Sequence, residues 1–504
     1  MVDDLSRELS SVSAALLRGL IRNPATPVEV LLRLLDADVP DMSAALKRRR
    51  DLPLPVQRAM VRHTAGDVRR ALAGHPRLHT EVLQLVIADN DCRLLLQVID
   101  RFMEAPLTDD ELELVLSRAA DGRYDYLLDE KDVLEELSFS TLCRRWLSVA
   151  ARHSHPRVRL WAAQWAAFLD EPSRLVLRAD PVLKVRATLV ARMAAHMRVM
   201  RPADLPPMIC HATWAILQQP LSRALVGQVV AGGNHDMMYY VAANPSTPAD
   251  VVRTLLRHDS REIRQQVAGR ADLDREQLLR LSADPAVEVR TAVSVHPGLS
   301  EEQRAAIDID VTVGLHETCS RPWCRAFLLG PLGRVASRED SLRWARSVNP
   351  LLRRRAAHYA ELPADLVASL AQDSDLGVRT LLAQHHPDAP PDLLLQCYLE
   401  QDGRGRERLV ARPQFPTEGL ARFAEHRDPA VRRLVALDPD VAGEIIEALC
   451  ADPDASVRAA MAECPRLPVT RLIELLDDPE SAEHAAANSA LPADERERLL
   501  RLVS

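Results

Sequence analysis

The chain has 504 residues, 47% apolar and 27% charged, a balance that excludes wholesale disorder and supplies enough apolar side chain for a buried core. Its 64 basic and 72 acidic residues leave a formal charge of −8, which excludes a global basic field drawing it to nucleic acid or an anionic membrane. Phe, Trp and Tyr number 6 each and Gly 17, a mixture poor in strand formers, so an all-α protein is expected.

In chain order, the opening Met-Val-Asp-Asp is acidic where a signal peptide needs a basic segment, which implies a cytoplasmic protein. Residues 1–102 read as repeated short amphipathic helices. Residues 103–150 read as an acidic helical insertion, in which Thr108 and Glu111 form a capping box that opens a helix through about Ala119. Repeats resume over 151–306. An irregular stretch, 307–347, contains Gly314, Gly330, Pro331 and Gly333 and reads as a bend. Repeats return over 348–504. The longest uncharged stretch, Leu205 to Ser222, is broken by Pro206, Pro207 and Pro220 and is too polar to span a bilayer. Eight Cys without a CxxC pair fit reduced thiols. The excess of Arg over Lys matches a GC-rich, bacterial coding bias and carries no functional weight.

The repeat is found by aligning the phrase from Ala283 to Pro297 on the rest of the chain. With Arg290 as register point, steps of 26 or 27 residues reach Arg264, Met238, Ala212, Arg186 and Arg159 on one side. Arg353, Arg379, Arg406, Arg432, Arg458 and His484 keep the spacing on the other, and Leu17, Ser43, Arg69 and Leu95 keep it near the N-terminus. With a degenerate point at His316 there are seventeen register points, and the residue three places on is apolar in all seventeen, from Leu20 through Val267 and Val293 to Ala487. The residue before the point is usually apolar too, so each second helix carries one buried stripe. Upstream runs such as Arg275 to Leu281, with Asp274 as N-cap, supply a first helix. A Pro seven places after the point, as at Pro24, Pro245, Pro297 and Pro465, ends the second. One such pair cannot bury its own apolar face, and the predicted fold is an α-solenoid, a right-handed superhelix of about seventeen 26-residue two-helix repeats.

The runs Val241 to Pro248 and Asp284 to Arg290 resemble the leucine-rich repeat variant family and, more distantly, HEAT repeats. The resemblance covers most of the chain and implies a scaffold fold without one fixed activity. A member of the variant family carries an iron–sulfur cluster in a Cys-rich N-terminal segment. The first Cys here is Cys92, so the cluster is not carried over and no cofactor is expected.

The recurring Arg suggests either a phosphate-binding ladder or a structural one. Asp six residues earlier, in Asp180/Arg186, Asp284/Arg290, Asp373/Arg379 and Asp452/Arg458, favours a structural ladder that caps helices and bridges units. His316, Cys319 and Cys324 match no familiar metal-ligand spacing, so no metal is expected. No phosphate loop, nucleophile elbow or zincin motif occurs, and the chain is read as non-enzymatic.

Two places after the register point the central repeats read Trp161, Thr188, Trp214 and Tyr240, about 80° from the centre of the buried stripe. Those rings either anchor an extended partner, flanked by Arg159 and Arg186, or fill space between helices. Trp165 reads as filler. The expected function is a scaffold holding a protein or peptide at Trp161, Trp214, Tyr240, Arg159 and Arg186. The competing reading is a nucleic-acid-binding HEAT-like protein, such as a DNA-glycosylase-like one, supported only by local basic runs at Lys47 to Arg50, Arg353 to Arg355 and Arg404 to Arg412.

Overall fold

The structure is a computed structural model that describes residues 2–37, 39–75, 77–89, 91–101, 108–121, 133, 144–311, 337–401 and 405–501. Among these residues it is all-α, and the only strand-like pairing is an isolated bridge between Met200 and Leu221. The helices used below are, in chain order, α1 (Val2–Arg22), α2 (Met42–Arg48), α3 (Gly66–Ala73), α4 (Asp109–Ala120), α5 (Pro156–Gln164), α6 (Glu171–Arg178), α7 (Leu183–Met197), α8 (His211–Leu217), α9 (His235–Ala243), α10 (Arg261–Ala268), α11 (Arg275–Ser282), α12 (Val287–Ser294), α13 (Ala455–Ala462) and α14 (Ala482–Ala486). The expected capping box is present: Thr108 Oγ1 accepts the Glu111 amide, the Glu111 carboxylate accepts the Thr108 amide, and α4 runs on to Ala120. The remainder of the acidic insertion, apart from a few residues, lies outside the described residues, as do Gly314, His316, Cys319, Cys324, Gly330 and Gly333.

The helix ends follow the local chemistry. Asp274 caps α11 by accepting the Gln277 amide at 2.9 Å, and Gln277 returns a side-chain acceptor to the Asp274 amide. The next helix, α12, ends just before His296 and Pro297, where the ring and missing N–H of proline stop the helix. Of the positions expected to form the stripe, Val267 and Val293, with Ile263 and Val289 one turn before them, share one apolar cluster, whereas Ala215 is exposed, because α8 turns Thr213 and Leu217 inward instead.

The chain divides into two compact units, residues 1–158 with 417–504, and residues 159–416. This grouping cuts across the expected blocks, since 1–102 falls together with the end of 348–504, and the boundary lies inside α5. In the unit formed from both chain ends, second helices stack on second helices: α2 on α3, α1 on α2, α13 on α14, and α14 on α1. The N-terminal repeat therefore follows the C-terminal one as its next neighbour. Asn488 Nδ2 donates to the carbonyls of Ala462 and Cys464, Asn23 Nδ2 to those of Ala486 and Asn488, and Arg49 Nη1 to those of Ile21 and Asn23. Each of these bonds satisfies carbonyls at a preceding helix end that would otherwise be orphaned. Arg18 and Arg22 pair with Glu483 across the same junction.

Gly19 allows this close approach. A Cβ there would lie 2.3 Å from the Glu483 carbonyl oxygen and 2.5 Å from the Ala486 Cβ. Alanine is intrinsically the better helix former by about 1 kcal/mol. Gly19→Ala is nevertheless expected to destabilise the protein by about 1–3 kcal/mol, because backbone must shift to admit the methyl. A lowered melting temperature checks this, and a raised one would mean the junction does not form.

Candidate interaction surface

The second unit carries the residues singled out in the sequence, and its Arg–Asp pairs set its outer geometry. Arg264 shows the pattern. Its Nε and Nη2 pair with both carboxylate oxygens of Asp284, 2.7 and 2.9 Å away, while Nη1 donates to the carbonyls of His258 and Asp259. Asp284 also accepts the Ala286 amide at the start of α12. Its backbone carbonyl takes a bond from Arg290, whose other nitrogen reaches Asp308. Arg353–Asp373–Arg379–Glu400 repeats this relay. In the other unit, Arg432–Asp452–Arg458–Glu480 does the same.

The structural ladder is thus present with one correction. Within a unit, six residues apart, Arg bonds the Asp carbonyl, because the carboxylate is already taken by the Arg of the preceding repeat and by its own helix-start amide. Arg159 and Arg186 belong to this ladder. Arg159 Nε pairs with Asp180 Oδ2 at 2.6 Å, and Arg186 Nη1 donates to the Asp180 carbonyl.

Burial pushes the Asp284 carboxyl up, but the Arg264 guanidinium and the Ala286 amide outweigh it and hold the group below its ordinary value. Asp180 is depressed in the same way by Arg159 and the Val182 amide. At Asp452 the bond from Arg432 is the leading cause of the depression. A carboxylate depressed on folding contributes stability above its unfolded value and loses it as pH falls through the folded one. The melting temperature is therefore expected to hold from neutral pH down to about 5 and to fall steeply below about 4, the ordinary carboxylate range. Asp284→Asn is expected to cost about 2 kcal/mol at neutral pH and to soften the acid transition, since a charge-assisted bond is lost. Melting curves of both proteins between neutral pH and pH 3 check it.

A second ladder was not read from the sequence. Besides Asn23, Arg49 and Asn488, Asn244 Nδ2 donates to the carbonyls of Leu217 and Gln219, and Arg270 Nη1 to those of Ala242 and Asn244. Its signal was present: a polar residue stands directly before the terminal proline in Asn23-Pro24, His75-Pro76, Asn244-Pro245 and His296-Pro297.

The aromatic positions separate. Trp161 is 1% exposed and leaves no ring surface for a partner, so it fills space, which corrects its expected role as an anchor. Trp214, on α8, and Tyr240, on α9, stack with centroids 5.2 Å apart at 21°, partly exposed above the cluster that holds Val267 and Val293. Tyr239 meets Tyr240 edge-on at 5.7 Å and is exposed. The structure brings these three rings together.

An apolar surface on the same unit carries no signal in the repeat pattern. Among the described residues sixteen large apolar side chains are exposed, and nine of them lie between Phe168 and Ile209. Phe168 leans on Trp165 with centroids 5.6 Å apart, Leu175 and Val176 stand out from α6, and Leu183, Val190 and Met197 stand out from α7. The helices α6 and α7 pack on each other. Soluble chains rarely group large apolar side chains outward over one segment unless something covers them.

No protein-family model matches the chain, and none of the curated proteins is significantly similar to it. The likeness to leucine-rich repeat variant and HEAT repeats stands on the repeat residues alone. Among the described residues no helix is long and apolar enough to cross a membrane. No group of three or more His, Cys, Asp or Glu among them is placed to hold a metal ion.

Proposed function

We propose that this chain is a non-enzymatic scaffold, an α-solenoid of the leucine-rich repeat variant or HEAT kind, that holds a protein or peptide partner on the second unit. The observation that carries the reading is the concentration of exposed apolar side chains between Phe168 and Ile209; the partly exposed Trp214–Tyr240–Tyr239 ring cluster adds to it. Large apolar and aromatic groups are the usual interface anchors. Leu175, Val176, Leu183, Val190 and Met197 stand on helices fixed by buried Leu177, Val185 and Leu189 and by the Arg159–Asp180 pair, so binding there would order little extra chain.

Affinity capture with the full chain from its native extract, with and without nuclease, tests this. The expected result is a specific protein retained in both arms. Retention that nuclease abolishes would replace the reading with the nucleic-acid one, and the absence of any protein above a control column would remove it.

A further inference from the structure

The second helices of the repeats are short: α9 has nine residues, α10 and α12 eight each. The helix α7 has fifteen, about 22 Å of axis, although its place in the repeat is the same. Its core side is ordinary, with Val185 and Leu189 buried at the stripe positions. The outer side is not. Where α10 carries Arg261 and Gln265, α7 carries Leu183 and Ala187 at the corresponding places.

The exposed residues Leu183, Ala187, Val190, Ala194 and Met197 follow one another at intervals of four, three, four and three. This is the heptad spacing that keeps one seam of a helix facing a partner helix. Leu183, Val190 and Met197 are 69%, 63% and 75% exposed, and between them the two Ala leave recesses in which a partner's side chains can seat.

Charge narrows the occupant. From Pro181 to Ala203 the chain has Lys184, Arg186, Arg192, Arg198 and Arg201 and no Asp or Glu, and although Arg198 is paired with Asp204 just beyond, the segment is basic in a protein of net −8. Lys184 projects about 100° to one side of the seam and Arg186 about 60° to the other. Lys184 and Arg192 are exposed and make no ion pair among the described residues. A second copy would set basic flank against basic flank. A membrane surface favours a continuous bulky face with aromatic residues, whereas this seam alternates large side chains with Ala.

We infer that α7 is the docking strip for one amphipathic helix of a protein partner, its apolar seam laid along Leu183, Ala187, Val190, Ala194 and Met197 and its flanks acidic. The inference depends on the scaffold reading and adds to it the class of partner and the place.

Selection of a displayed library of three-heptad helical peptides with randomised flanks, on the full chain, tests it. Enriched peptides are expected to carry heptad apolar residues and net negative charge. A synthesised winner is expected to bind at least tenfold more weakly to Val190→Glu, which breaks the seam, and to Lys184→Glu, which reverses a flank, with both variants melting as the parent does. Winners without an acidic bias, winners indifferent to both variants, or no enrichment would overturn the docking strip while leaving the captured protein of the preceding test to support the scaffold. Two further outcomes would also overturn it. One is Val190-dependent sedimentation with phosphatidylserine vesicles, which would assign the face to lipid, and the other is a Val190-dependent dimer, which would assign it to a second copy.

Discussion

Val267→Asp is expected to unfold at least the block of repeats around α10, at a cost of about 4 kcal/mol or more. Val267 is completely buried, in an apolar cluster with Ile263, Val289 and Val293. The variant must therefore bury an unpaired charge or open the helix pairs on either side. Because repeats are stabilised by their neighbours, the damage spreads beyond one helix. A lowered or split thermal transition, with new protease cleavage between about residues 240 and 300, is the expected signature. Gln265→Asp, two residues away on the outer side of the same helix, is expected to stay within about 0.5 kcal/mol of the parent. An unchanged melt for Val267→Asp would mean that the register of the repeat is wrong.

Trp161→Ala is expected to cost about 3–5 kcal/mol, by removing the bulk of a buried ring and leaving a cavity that rigid neighbours fill only in part. Trp161→Phe should recover much of that loss. Trp214→Ala is expected to cost less, about 1–2 kcal/mol, because the ring is partly exposed and its main loss is the stack on Tyr240. Melting curves of the three variants check the order. Equal losses at Trp161 and Trp214 would contradict the placement of Trp161 inside and Trp214 at the edge.

The helices α10 and α12 were legible because the evidence for them is local: the apolar residue three places after Arg264 and Arg290 marks their inner side, and Val267 and Val293 are buried as that requires. The Arg–Asp ladder was legible in its residues but not in its wiring. Sequence spacing shows Asp284 six residues before Arg290, whereas only folding brings Arg264, twenty residues before Asp284, to the carboxylate.

The junction of the chain ends was not legible, because adjacency in a stack is normally inferred from adjacency in sequence. Asn23 repeats the place of Asn244, Asn488 makes the same carbonyl bonds from a shifted position, and Gly19 marks a close contact, but nothing in the linear order says that they meet. The candidate site moved for a related reason. Rings stand out in a sequence, whereas Leu183, Val190 and Met197 carry no signal there, since the period predicts a second helix half as long as α7. The helix runs to Met197, which extends the outward apolar positions Leu183, Ala187 and Val190 by Ala194 and Met197.

If the outward seam of α7 holds a protein partner, quantitative capture from native extract on Val190→Glu, at a melting temperature equal to the parent's, is expected to retain less than a tenth of the protein that the parent chain holds. Undiminished retention on the folded variant would place the partner elsewhere.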